Sequence, residues 1–131
     1  MSKILNISEA LTIAIHSMGL IAKSKKPVNA NHIASITGFS KNHISKILQQ
    51  LSKNNFLTST RGPMGGYILK KDPHKTNLHE IYRLFEGEIS MDYCKHECNN
   101  CPFSKCVFDG ITEKLTNQFE EYLVNKRISD I

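Results

Sequence analysis

The sequence lacks the features that mark membrane and secreted proteins. No apolar run approaches the ~20 residues that a membrane-spanning helix needs. Residues 1–7 have neither the basic start nor the long apolar centre and small-residue cleavage site of a signal peptide. These absences predict a cytoplasmic protein. In that reducing compartment, clustered cysteines favour metal or redox chemistry over structural disulfides.

Acidic residues are almost missing from the middle of the chain. Residues 23–75 hold ten Lys and Arg residues and one acid, Asp72, whereas the rest of the chain holds seven bases and eleven acids. The formal net charge of +5 therefore hides a strongly basic part and an acidic remainder. Each Lys or Arg placed on a phosphate releases condensed counterions, so the basic part is suited to bind a polyanion.

Signals of an enzyme are also missing. No motif brings a nucleophile, a base and an orienting group together, and the six histidines are scattered along the chain. The glycine-rich stretch at residues 62–66 has neither the Walker spacing nor a following Lys-Ser/Thr pair. We therefore expect a protein without catalytic residues.

Two short helices around a glycine turn are predicted within the basic part. Asn29 is suited to cap the first helix, Gly38 to end it, and Ser40 to cap the second. Ala34, Gly38 and Ile44 have the spacing of a helix-turn-helix, and Ile47, Leu48 and Leu51 continue the apolar side. The outward face of the second helix has no carboxylate and suits base edges and phosphate oxygens; it consists of Lys41, Asn42, His43, Ser45, Lys46 and Gln49.

A β-hairpin is predicted directly after the second helix. Strand candidates at residues 56–60 and 67–70 flank a turn that is rich in Gly and Pro. A hairpin in this place is the wing of a winged helix. Arg61 at its base is suited to the minor groove, whose negative potential attracts arginine.

Three further helices complete the prediction. The first spans residues 6 to about 23, with a capping-box pattern at Asn6 and Glu9 and an apolar face formed by Ile7, Ala10, Leu11, Ala14, Ile15 and Met18. Another starts with a capping box at Asn77 and Glu80 and stops at Gly87. The last runs to about Lys126 and carries Phe108, Ile111, Leu115, Phe119 and Tyr122 at spacings of three and four. Such a stripe indicates a symmetric dimer, a fold-back over the first helix, or both.

The predicted fold is therefore mostly α with a small β-hairpin wing. Residues 1–88 form a winged helix-turn-helix domain for DNA binding. Residues 89–131 hold a cysteine-rich loop and a long C-terminal helix for dimerisation. The length of 131 residues, 40% of them hydrophobic, fits a single modest core with such an appended helix.

All four cysteines lie within residues 94–106, in the spacing C-x3-C-x2-C-x4-C. Thiolates bind iron-sulfur clusters and zinc about equally well. Structural zinc usually uses two C-x2-C knuckles, and only Cys98 and Cys101 form one here; Pro102 directly after Cys101 is typical of cluster loops. Free or reversibly oxidised thiols are a third reading. His96 is a further possible ligand, or a solvated loop residue.

Three stretches resemble the IscR/NsrR-type (Rrf-type) family of bacterial winged-helix transcriptional regulators. They are residues 44–51, the wing Arg61-Gly62-Pro63-Met64-Gly65-Gly66-Tyr67 with the following Ile-Leu, and Phe85-Glu86-Gly87. The resemblance covers nearly the whole chain. It implies a homodimer that binds a palindromic operator, with the major groove contacted by Ser40, Asn42, His43, Ser45 and Lys46. It also implies that Arg61 contacts the minor groove.

Many members of that family hold an iron-sulfur cluster, 4Fe-4S or 2Fe-2S, in this loop. The resemblance therefore favours a cluster on Cys94, Cys98, Cys101 and Cys106, with Glu9 at the position of an extra acidic ligand. Relatives commonly use three cysteines, and Ser45 replaces an acid with which one member discriminates among DNA sites. We expect a sensor of redox state, nitric oxide or iron-sulfur status.

Three alternatives remain open beside that reading. Two keep the DNA-binding fold and replace the cluster by structural zinc or by a thiol/disulfide switch. The third, a small iron-sulfur electron carrier, leaves the basic helix-turn-helix and wing unexplained.

Overall fold

The computed structural model describes residues 5, 7–89, 101–105, 107, 108 and 110–131. These residues form five α-helices, one antiparallel hairpin and a short C-terminal 3₁₀ helix at Ile128–Asp130. In chain order the elements are α1 (Glu9–Lys23), α2 (Ala30–Thr37), α3 (Lys41–Lys53), β1 (Leu57–Thr60), β2 (Gly66–Leu69), α4 (Leu78–Glu86) and α5 (Ile111–Asn125). Within the described ranges, no helix is long and apolar enough to cross a bilayer.

Helix ends follow the local capping signals with one correction. The side chains of Asn29, Ser40 and Asn77 cap α2, α3 and α4, as predicted. The predicted cap of α1 at Asn6 lies outside the described residues. The cap found there is Ser8, whose Oγ accepts a hydrogen bond from the backbone N–H of Leu11 at 3.1 Å. Ile7 therefore precedes the helix and is exposed, so its assignment to the apolar face was wrong.

The core lies where α1, α2 and α3 meet. Ile13 of α1, Ile33 of α2, and Ile44 and Leu48 of α3 are fully buried. Gly38 ends α2 with a φ of 77°, a left-handed conformation that glycine adopts without strain. The helix-turn-helix predicted from the sequence is thus present, and its second helix is held by its apolar side.

The hairpin is joined to the helices by a third extended segment. In the hairpin, Leu57 pairs with Leu69 and Thr60 with Gly66. Val28, in the linker between α1 and α2, exchanges two backbone hydrogen bonds with Tyr67, at 2.8 and 3.0 Å. The wing is therefore tied by its backbone to the start of the helix-turn-helix.

The C-terminal end of the chain returns to the N-terminal core. Leu123 and Ile128 are buried in that core, and α5 packs on α4, where Tyr82 and Phe119 meet edge to face at 5.5 Å between ring centroids. The backbone N–H of Leu78 donates to the carbonyl of Lys126 at 2.9 Å. Helix α5 itself packs on α4, and the predicted fold-back over the first helix is made by the C-terminal 3₁₀ helix, which packs on α1. The division of function at residue 88 stays a prediction.

Candidate nucleic-acid interface

Helix α3 presents the predicted DNA-binding side chains at its N-terminal end and on the sides that its core contacts leave free. Its buried residues are Ile44, Ile47, Leu48 and Leu51. Ser40, Lys41, Asn42 and Lys46 are exposed, whereas His43 and Ser45 are half-buried. Because the core fixes four positions on one side, the polar side chains on the other side have a defined orientation. The structure therefore places Ser40 at the cap of α3 and the other predicted residues within the first two turns of that helix, while their contact with DNA stays a prediction.

The start of α3 is also electrostatically suited to an anion. Ser40 caps it by accepting a hydrogen bond from the backbone N–H of His43, at 3.4 Å, and the first turn contains no acidic residue. Backbone N–H groups at a helix N-terminus carry a partial positive charge that favours phosphate. Lys41 adds a full charge at the same end of the helix.

One carboxylate approaches this surface from another helix. Glu9, in the first turn of α1, places Oε1 3.7 Å from Nδ1 of His43. Both side chains are accessible to solvent. The predicted extra metal ligand and a predicted DNA-contacting residue are therefore neighbours, although they are 34 positions apart in the sequence.

The wing carries Arg61 at the end of β1 in an exposed position. Gly65 and Gly66 follow, and neither has a positive φ. They are needed because a Cβ atom on Gly65 would lie 2.5 Å from the carbonyl oxygen of Thr60, and one on Gly66 would lie 2.7 Å from the backbone of Val28. The glycine pair therefore serves close backbone approach, whereas the unusual φ in this turn, 107°, belongs to Gly62.

Sequence reasoning missed the part that Val28 plays in placing the wing. A β-branched residue directly after Pro27 favours extended backbone, and this was the local signal that could have revealed it. Its partner Tyr67 is 39 positions away, and no local pattern identifies such a pairing.

Not every basic side chain in residues 23–75 is available to contact DNA. The ammonium of Lys71 lies 3.9 Å from the ring centroid of Phe56 and 3.5 Å from Oε1 of Glu80. The ammonium of Lys70 donates to Oδ1 of Asn55 at 3.0 Å. These two lysines fasten the end of the hairpin to its surroundings, so the count of basic residues overstates the number of phosphate contacts.

The cysteine segment lies mostly outside the described residues, which include Cys101 but not Cys94, Cys98, Cys106 or His96. Cys101 is a free, exposed thiol. Among the described residues, no three potential ligands come together in a metal site. The donor chemistry of the segment, four thiols with one of them seen to be accessible, fits a thiophilic metal or an iron-sulfur cluster.

The end of α4, which leads toward the cysteine segment, is attached to the start of α1. Oε1 of Glu86 accepts a hydrogen bond from the backbone N–H of Ser8 at 3.0 Å. Ser8 caps the helix whose first residue, Glu9, contacts His43. A short series of contacts thus connects the end of α4 with the start of α3.

A helix-turn-helix followed by a wing that is anchored to its linker defines a winged-helix DNA-binding protein. A profile of the Rrf2 family, described as "Iron-dependent Transcriptional regulator", matches residues 7–131. The chain therefore belongs to the Rrf2 family. This family consists of DNA-binding transcriptional regulators and not of enzymes, which confirms the regulator class and the winged-helix fold expected from the sequence.

Individual relatives agree with this assignment. The HTH-type transcriptional regulator NsrR of Bacillus licheniformis is 30% identical over 110 residues, which cover 82% of this chain and 77% of the relative. The solved structure of T. potens IscR is 26% identical, with a TM-score of 0.73, and the match covers 96% of this chain and 85% of that one. CymR, the global cysteine regulator of B. subtilis, is similar in fold, with a TM-score of 0.78 at 23% identity and coverage of 96% and 95%.

Proposed function

We propose that this protein is a homodimeric regulator that binds a palindromic operator through α3 and the wing. An iron-sulfur cluster in the cysteine segment controls that binding. The observation that carries the proposal is the outward face of α3, where exposed Asn42, Lys46 and Gln49 stand opposite four buried apolar residues. Lys41 is exposed at the N-terminus of the same helix. A regulator of this kind acts in the cytoplasm, where its DNA target lies.

Residue roles follow from the positions on α3 and the wing. Lys41 and Lys46 bind phosphates as point charges, and the helix start around Ser40 adds backbone N–H donors. Asn42, His43 and Ser45 have the hydrogen-bonding groups that read base edges in the major groove. Arg61, the first residue of the turn at the tip of the wing, enters the minor groove.

The apolar side of α5 supports the dimer. Ile111, Leu115 and Tyr122 are 46%, 40% and 57% exposed. At ~100° per residue they lie within about 40° of one another around the helix axis. A second copy of the same stripe covers such a surface, and the two-fold axis then places two α3 helices on half-sites roughly 34 Å apart.

The cysteine segment provides the ligands in this proposal. Cys94, Cys98, Cys101 and Cys106 hold the cluster, with Glu9 or His96 available where one thiol is spare. When bound, a cluster supplies a group that oxygen, nitric oxide or iron scarcity can modify. The chain's own part is to join the segment to the DNA-binding surface, and the bond between Glu86 and Ser8 supports that connection.

The test is an anaerobic preparation with a visible spectrum and with iron and sulfide counts. A brown protein with both elements in stoichiometric amounts supports the proposal. Cys98→Ala and Cys106→Ala are expected to lose iron and sulfide and to change DNA affinity. A variant with full iron and sulfide content and unchanged DNA affinity would remove that residue from the ligand set.

A second candidate is a thiol switch or a zinc site on the same DNA-binding fold. The exposed thiol of Cys101 favours it, because an accessible thiol reacts with oxidants and with other thiols. A colourless anaerobic protein that contains zinc, or one whose mass shows a reversible disulfide, would identify this alternative.

A further inference from the structure

The tip of the wing presents one large apolar side chain to solvent. Met64 is 74% exposed, the highest value among the large apolar side chains of the described residues. Arg61 and Pro63 are exposed beside it. A single exposed apolar residue is ordinary on a protein surface, so its meaning here depends on what surrounds it.

The backbone of the turn fixes where Met64 lies. The N–H of Gly65 donates to the carbonyl of Gly62 at 2.9 Å, and Oγ1 of Thr60 accepts from the N–H of Gly66 at 3.1 Å. The glycines after Met64 cannot carry side chains, because a Cβ atom on either would collide with backbone. The side chains that this tip can extend outward are therefore those of Arg61, Pro63 and Met64.

The charge around the tip points to a nucleic acid as its occupant. Residues 23–71 contain no Asp or Glu, and Arg61 is three positions from Met64. A protein partner that covers one methionine gains little from this excess of positive charge, whereas a DNA groove gains much. The walls of the minor groove are deoxyribose, and apolar side chains, Met included, are used by proteins that bind in that groove.

We propose that Met64 packs into the minor groove beside Arg61 and makes the wing select A·T pairs at the flanks of the operator. This proposal rests on the DNA-binding function proposed above. The selection has a steric reason, because a G·C pair places the guanine N2 amino group in the minor groove, where an A·T pair has none. Arg61 provides attraction to the groove, and Met64 provides the contact that the amino group obstructs.

The experiment uses a 30-base-pair duplex that the wild-type protein selects from a randomised library, and variants of that duplex at the flanks. Met64→Ala is expected to weaken binding by about five- to tenfold, because the buried area of the thioether side chain is lost. Met64→Leu, which keeps the volume, should stay within about twofold of the wild type. Thermal unfolding serves as the control for folding, and an exposed side chain predicts equal midpoints.

Salt dependence separates the apolar contact of Met64 from the contact of a charged side chain. Arg61→Ala should lower the slope of log affinity against log salt by about one, whereas Met64→Ala should leave the slope unchanged. Base replacement at the flanks tests the groove. Changing A·T to G·C should weaken wild-type binding, and changing it to inosine·cytosine, which lacks the amino group, should restore it. Met64→Ala should respond little to either change.

Two results would overturn the inference. If the Met64→Ala variant binds the duplex with wild-type affinity and an unchanged preference at the flanks, the side chain does not contact DNA. The proposed function stands in that case, because the wild-type protein still binds the duplex. A wild-type protein that selects no duplex from the library would contradict the proposed function, and this inference with it.

Discussion

Helices α3 and α5 have similar lengths, 13 and 15 residues, but they expose opposite chemistry. The side of α3 opposite its core face carries Asn42, Lys46 and Gln49, whereas α5 carries an exposed apolar stripe of Ile111, Leu115 and Tyr122. A basic polar face gains free energy from a polyanion, whereas an apolar face gains it from another apolar surface. The contrast supports the proposal that α3 contacts DNA and that α5 contacts a second copy of the chain.

The largest expected effect is that of reversing a charge on α3. Lys46→Glu should weaken DNA binding by at least ~100-fold, since it removes a phosphate contact and places a carboxylate next to phosphate. Lys114→Glu is the matched control, because Lys114 is also an exposed lysine and lies on α5. Fluorescence anisotropy with a selected duplex measures both. Equal losses in the two variants would show that net charge, and not the face of α3, determines binding.

A charge placed in the apolar stripe of α5 should separate the dimer. Leu115→Lys is expected to raise the dimer dissociation constant by about 30-fold or more. Each protomer would then bury one lysine in the dimer interface without an acidic partner. Analytical ultracentrifugation measures it, with Asn117→Lys as the control at an exposed polar position of the same helix. A Leu115→Lys protein that remains dimeric would place the dimer contact elsewhere.

A smaller effect is expected where a carboxylate approaches α3. Glu9→Gln removes a negative charge 3.7 Å from His43, and DNA affinity should rise by about two- to threefold at low salt. The gain should disappear at high salt, because the pair is accessible to solvent. Glu113→Gln, an exposed acid on α5, is the comparison variant. A decrease in affinity for Glu9→Gln would instead mean that the carboxylate positions His43 for binding.

The smallest effect concerns the contact between α4 and α5 and depends on pH. Burial, and to a lesser degree the nearby charge of Glu86, raises the pKa of Tyr82 above its ordinary value of 10.0. The folded state therefore holds the phenol proton more tightly than the unfolded state. Stability from this group is fully present below pH 10 and falls as the pH rises from there through the folded-state pKa.

Tyr82→Phe should accordingly have little effect on the free energy of unfolding at pH 7. Above about pH 10, the variant should lose stability less steeply than the wild type. Urea unfolding from pH 7 to 11 measures the difference in the free energy of unfolding between the variant and the wild type. The lysines titrate in both proteins, so their contribution cancels in this difference. Parallel curves over that whole range would contradict the role of Tyr82.

Local signals predicted much of the fold, and distant contacts account for the rest. The caps at Asn29, Ser40 and Asn77 depend on hydrogen bonds within three residues, so the sequence alone reveals them. The pairing of Val28 with Tyr67 and the contact of Glu9 with His43 join residues far apart in the chain. Such contacts depend on how the helices pack, which no single stretch of sequence specifies.

In the candidate site, too, some features could be predicted from local sequence and others could not. The outward side chains of α3 follow from helical periodicity, and the structure places them as that periodicity predicts. Spacing cannot choose the ligands in the cysteine segment, because four thiols within 13 residues satisfy a cluster, a zinc ion or a disulfide. The glycines of the wing show a similar limit, since Gly66 is required by a backbone 38 positions away.

The most direct test of control by the cysteine segment compares one preparation before and after its cofactor is removed. Iron and sulfide are counted in the anaerobic protein, and its affinity for the selected duplex is measured with the cofactor present and after chelation under oxidising conditions. We predict iron and sulfide in stoichiometric amounts and affinities that differ by about tenfold or more. Protein that contains neither element, or that binds DNA equally well in both states, would contradict the account.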